Sequence, residues 1–307
     1  MTGLLANTID MHIHCGPEAI PRRYDSIELS RVIAASGMAG AVIKSHFVST
    51  SDWAWLAAKY GAGKLYGSVV LNHYVGGINA DAIRGSLGVT WEGKQLLKVV
   101  WMPTMHAAGH IDMRQRSGAV YDIPEEWTHG VPSSGRRTIS SITPISLVHP
   151  ATRDRLPEVL EVIAENSIVL ATGHLSAAEI AILIPMAKSA GVEKIIITHP
   201  LYGATALSQS DLKDFCAVDG VFNEQTYGLH TLDEIPLARM MEHIRAAGPA
   251  KTVLTSDLGQ VSSPPPPEGY AKFLEQLLAE GLTKKKISVM SRDNPAWLLG
   301  LTGQVDG

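Results

Sequence analysis

The nine residues Gly191-Val-Glu-Lys-Ile-Ile-Ile-Thr-His199 compress a helix stop, a turn and a strand into one short run. Gly191 follows the apolar-rich stretch 176–190, at the point where a helix takes a left-handed terminal residue. Ser176-Ala-Ala-Glu179 opens that stretch with the serine and glutamate of a capping box. Ile195-Ile196-Ile197 is apolar at every position, which suits a parallel strand covered on both faces rather than a half-exposed antiparallel one. His199 then places a polar ring at the strand's C-terminal end.

The same unit recurs along the chain. Strands are expected at 8–14, 40–46, 64–72, 96–103, 167–174, 194–199, 220–224 and 252–257. Helical patterns fall between and after them, at 26–36, 51–60, 79–85, 151–166, 176–190, 208–216, 235–247 and 270–280. Ser51-Asp52 and Ser208-Gln-Ser-Asp211 read as further helix starts. Gly37, Gly61 and Gly248 sit where left-handed helix ends are wanted. Strand–helix alternation of this kind favours an α/β fold, a (β/α)8 TIM barrel, with residues 1–307 as one barrel domain. Residues 107–150 break the rhythm after the fourth strand. They read as a long loop insertion on the C-terminal face, a lid or substrate loop.

Composition narrows the function. The 307 residues carry 26 Lys+Arg against 30 Asp+Glu, a net charge of −4, so no positive field recruits nucleic acid. Apolar residues make up 45%, enough for a large core. No apolar run approaches the ~20 residues of a membrane span. Met1 to Asn7 lacks a cationic-then-apolar leader, and two cysteines cannot build a disulfide framework, so a reduced, cytoplasmic protein is expected. The expected partner is a small-molecule substrate, with homo-oligomerisation left open. P-loop and Gly-x-Ser-x-Gly signatures are missing.

The chain holds 12 histidines, and four stand at expected strand ends. Asp10-Met-His12-Ile-His14 closes the first strand, and residues two apart point the same way. His174 ends the fifth strand, His199 the sixth and Asp257 the eighth. In a barrel those ends ring one pocket. Imidazoles and a carboxylate there make a ligand set for a divalent metal. Taken singly, an HxH pair is a weak signal, and a strand-end histidine or aspartate is more often a hydrogen-bonded or capping residue.

Asp-x-His-x-His on the first strand, His on the fifth and sixth and Asp on the eighth resemble the amidohydrolase superfamily of metal-dependent hydrolases. Asp293-Asn-Pro-Ala-Trp-Leu-Leu-Gly-Leu301 is similar to the helix that often ends its members. The resemblance implies that His12, His14 and Asp257 bind one metal. It implies that His174 and His199 bind a second ion in a binuclear enzyme. In a mononuclear one, His174 joins the first set and His199 polarises the substrate. The ion expected from the ligand types is Zn2+, with Mn2+ or Fe2+ as alternatives, in one or two copies. Asp257 would take a proton from the attacking water. The scissile bond would be a linear or cyclic amide, or an ester or lactone. A decarboxylase or other lyase on the same barrel, and a non-catalytic metal-binding barrel, are the alternatives.

The chain departs from the superfamily at the bridging ligand, for which the third and fourth strands offer no well-placed acid or lysine. Lys44, in Val42-Ile-Lys44-Ser-His46, is better placed, as a carbamylated bridge, a cation for a substrate carboxylate or a buried structural lysine. His46, Glu224 and His106 are further candidates for substrate contact. Arg22-Arg23 could reach an anionic substrate or be solvated. His110, His129 and His149 read as solvated loop residues.

Overall fold

In the computed structural model, which describes residues 3–124, 127–128 and 135–301, all eight expected strands form. They are β1 (Ile9–His14), β2 (Gly40–Lys44), β3 (Leu65–Val70), β4 (Leu97–Trp101), β5 (Val169–Ala171), β6 (Ile195–Ile197), β7 (Val221–Thr226) and β8 (Thr252–Thr255). They pair in chain order, and every neighbouring pair is parallel. Helices intervene between successive strands, so the architecture is a (β/α)8 barrel.

Closure between β8 and β1 comes just past the end of β8. Ile13 and Leu258 form an isolated parallel bridge. The His14 N–H donates to the Leu258 carbonyl at 2.7 Å, and the Asp257 N–H donates to the His12 carbonyl at 2.8 Å. Asp10 reinforces this seam by accepting from the Ser256 N–H at 3.0 Å.

The barrel interior is filled at its lower end by Ile9, Met11, Val42, Val70, Val99, Trp101, Val169 and neighbours. Ala296, Leu298 and Leu299 of the helix Asn294–Leu299 plug that end. Asn294 ties this helix to the start of β8, donating to the Thr252 carbonyl at 2.6 Å. Helices pack outside on two larger apolar clusters.

Local signals mostly hold. Ser176 and Glu179 form the expected capping box, and an unanticipated one joins Asp25 to Glu28. Gly37 ends its helix at φ 79°, left-handed as expected. Gly61 does not: its φ is −91°, and the position needs glycine because a Cβ would stand 2.0 Å from the Ser30 hydroxyl oxygen. Segment 107–150 is not all loop. It holds the helix Ala108–Arg116, a 3-10 turn Ile139–Ser141 and the first residue of the short helix Pro150–Arg153. The first of these helices has a polar, arginine-rich sequence, which hid its periodicity. No described helix is long and apolar enough to cross a membrane.

Candidate metal centre and substrate cavity

The seam sets the geometry of the site. Asp257 lies two residues beyond β8, fixed by its N–H bond to the His12 carbonyl. Its Oδ1 is 3.1 Å from His12 Nε2 and 3.1 Å from His14 Nε2. One ligand atom from each of these three residues lies within 4.8 Å of the others, a spacing that a single metal ion can bridge.

A bulge aims the two histidines. Ile9 and Met11 face the inner core while Ile13 packs in the outer one, and the β1–β2 register shifts between Asp10 and Ile13. The irregularity switches faces, so His12 and His14 stand over the inner core instead of under the helices. Asp257 and His199 have φ values of 53° and 22°. Side chains rarely adopt this left-handed region, and holding them there costs on the order of 1–3 kcal/mol each. Both strained residues sit at strand ends facing the site.

Hydrogen bonds orient the rings. His12 Nδ1 lies 3.0 Å from Glu224 Oε1. Its N–H donates there, which leaves the Nε2 lone pair turned toward Asp257 and Lys44; such a carboxylate behind an imidazole is the usual support of a metal-binding histidine. Glu224 also accepts from the His199 N–H and the Thr255 hydroxyl, each at 3.0 Å. Lys44 Nζ lies 3.0 Å from His12 Nε2 and 4.7 Å from the centre of the Trp101 ring. His46 Nδ1 meets the Thr104 hydroxyl at 2.9 Å.

Burial sets the charge states. It holds His14, His46 and His174 well below the ordinary histidine value, and brings His199 down to about 4 and His110 to about 3. These rings are neutral near pH 7, the form that ligates metals. Burial pulls His12 down as well, but the Asp257 and Glu224 carboxylates together outweigh it and raise the ring above its ordinary value. Burial would raise Asp257 and Glu224; the neighbouring histidine rings, His12 first, instead hold both below the usual carboxylate range.

His14, Lys44, His46, His174, His199 and Asp257 line one cavity of about 410 Å3 at the C-terminal mouth. His174 and His199 stand with ring centroids 5.0 Å apart, and the His199 and His12 rings stack at 5.9 Å. His199 Nδ1 is buried without a hydrogen-bond partner among the described residues. His174 and His199 stand beside the three-residue cluster.

Two expected substrate contacts lie away from the cavity lining. Glu224 does not line the cavity; it lies behind His12 and positions that ring. His106 does not line it either. Its Nδ1 accepts from the His73 N–H at 3.0 Å and its Nε2 faces Asp122 at 3.4 Å, so it clamps the 107–150 segment to the barrel. His129 lies outside the described residues.

The cavity also holds residues that were misread or missed. His110, read as a loop residue, begins the buried face of the Ala108–Arg116 helix and meets His174 Nδ1 at 3.1 Å and the Tyr202 hydroxyl at 3.0 Å. Tyr202 and Trp127 had no sequence signal beyond residue type. Arg22 reaches the cavity, whereas Arg23 donates to the Ser263 and Val261 carbonyls.

Residues 7–224 match the model of DUF6282, a family of unknown function. The chain belongs to that family. No curated protein matches the DUF6282 chain. Solved structures resemble it in fold. One is a Pseudomonas putida protein described as a 2-pyrone-4,6-dicarboxylic acid hydrolase, 16% identical, with a TM-score of 0.55 over 96% of this chain and 98% of the other. Another is a mutant of a Deinococcus radiodurans lactonase, 13% identical, with a TM-score of 0.57 over 98% of each chain. A third is a zinc-bound Burkholderia multivorans amidohydrolase, 11% identical, with a TM-score of 0.57 over 96% of this chain and all of the other. The DUF6282 chain thus has the barrel seen in amidohydrolase structures.

Proposed function

We propose that the chain is a metal-dependent hydrolase of amidohydrolase type, acting on a small-molecule amide, ester or lactone. The observation that carries this reading is the convergence of His12, His14 and Asp257 on one point at the mouth of a barrel cavity. The donor set fits a divalent cation: two imidazoles and a carboxylate oxygen, with Glu224 holding one ring in the metal-binding tautomer. The barrels it resembles include proteins described as hydrolases and lactonases and one with bound zinc.

His12, His14 and Asp257 would hold the ion, zinc by ligand type. His174 and His199 extend the set across the cavity. When bound, such an ion supplies the positive charge that acidifies water and polarises a carbonyl. Asp257 is 20% exposed at its side chain and holds its carboxylate ionised, so it can accept the proton of the attacking water and deliver it to the leaving group. His199 lines the cavity and would polarise the substrate carbonyl. His46 lines the substrate side of the cavity. Both cysteines are free and buried, in keeping with a reduced cytoplasmic setting.

The test is a panel of lactones, esters and cyclic amides assayed on native, chelated and zinc-restored protein. Hydrolysis that disappears on chelation and returns with zinc is expected. Full hydrolysis by metal-free protein would overturn the reading, and metal-dependent carbon dioxide release from a carboxylated panel member would favour a decarboxylase.

A further inference from the structure

Three cations line the cavity, Arg22, Lys44 and Arg114, and the first two each spend a donor on a ring of the candidate cluster. Lys44 Nζ donates to His12 Nε2 at 3.0 Å. Arg22 points an N–H of its guanidinium at His14 Nδ1, 3.2 Å away. That contact is a hydrogen bond only if His14 carries its proton on Nε2, which then faces Asp257 Oδ1 at 3.1 Å.

A cation on this cluster is incompatible with both bonds. It needs the Nε2 lone pair of His12, the one Lys44 occupies. It also needs the Nε2 lone pair of His14, which moves that ring's proton to Nδ1 and sets it against the Arg22 N–H. Both donors must then turn elsewhere. Neither can go to water cheaply, since Lys44 is 1% exposed and the Arg22 side chain 3%. Lys44 has no ion pair among the described residues. Glu18 holds the Arg22 Nε and so fixes the guanidinium, leaving its terminal nitrogens for another acceptor. Both side chains line the cavity, together with Trp127, Tyr202 and the apolar Leu229 and Leu232.

We infer that the cavity takes a substrate bearing a carboxylate, held by Arg22 and Lys44, and that metal loading hands those two donors to it. The fork of a guanidinium and a buried ammonium suit a planar carboxylate, and the aromatic and apolar walls suit a small unsaturated or cyclic body. This rests on the metal-centre reading above and extends it. Metal and carboxylate then bind cooperatively, and by linkage each raises the other's affinity by the same factor, on the order of tenfold.

The experiment is zinc titration of the full chain against a competing dye, alone and with saturating acetate, benzoate or cyclohexanecarboxylate, with benzamide as the neutral match. The expected result is zinc binding that tightens roughly tenfold with at least one carboxylate and not with benzamide. In Arg22→Gln and Lys44→Met the tightening is lost while zinc still binds. Zinc binding untouched by all three carboxylates overturns this inference alone. Tightening that persists in both variants also overturns it, because the carboxylate then sits on the metal only. No zinc binding at all overturns the metal-centre reading and this inference with it.

Discussion

Glu224→Gln isolates what a single buried carboxylate does for the site. Glu224 is 1% exposed and uses both oxygens: Oε1 faces the His12 ring N–H and the Thr255 hydroxyl, and Oε2 takes the His199 backbone N–H. Glutamine has the same shape but one acceptor oxygen. With that oxygen toward His12 and Thr255, its amino group faces the His199 N–H, and one buried donor is stranded at a cost of about 1–3 kcal/mol. For a chain of this size that corresponds to a fall in Tm of about 2–5 °C. The bond to His12 survives but loses its charge, and removing such support lowers metal affinity by about 10–100-fold. Thermal unfolding of chelated protein and zinc titration against a dye measure the two effects separately. A folded variant that binds zinc as tightly as the parent would refute the role given to Glu224 and to His12 with it.

Asp257→Asn keeps the shape and one ligand oxygen but removes the base; partial metal retention with a loss of at least ~10²-fold in turnover is expected, read by kinetics alongside metal content. Gly259→Ala should break the seam, since Gly259 has φ 140° and a Cβ there would lie 2.1 Å from the His14 carbonyl oxygen; a loss of at least ~3 kcal/mol by denaturant unfolding is expected, against ~1–2 for the unobstructed Gly118→Ala. His243 is buried with neither ring nitrogen partnered among the described residues, and burial first, then Arg239, brings it down to about 4. Its folded pKa lies below the unfolded value of about 6.5, so the stability it leaves intact above that pH is lost as pH falls toward 4. His243→Leu should therefore remove on the order of 1–3 kcal/mol of acid sensitivity between pH 7 and 4.5; equal acid sensitivity in both proteins would remove His243 as a cause.

The strands were legible because buried parallel strands are apolar throughout, as in Ile195–Ile197, and because glycine and capping residues punctuate the chain between them. The convergence of His12, His14 and Asp257 was legible because barrel strand ends meet at one mouth, so the three could be placed without knowing the packing. What the sequence hides is contact across the barrel. Glu224 and His12 lie 212 positions apart, and nothing local marks the glutamate as a brace rather than a substrate contact. The bulge in β1 is equally silent: the spacing of His12 and His14 gives them a common face, but only the register shift says which face. His110 was lost inside a segment whose polar helix carries no apolar stripe.

The most direct test of the account is metal content per chain by elemental analysis, on protein purified without chelator, for the parent and the His12→Asn, His14→Asn double variant side by side. The parent should carry one or two divalent ions, zinc foremost, and the double variant should lose the ion of this cluster. A metal-free parent that stays so after exposure to zinc, manganese or iron, or a double variant with the parent's full complement, would contradict it.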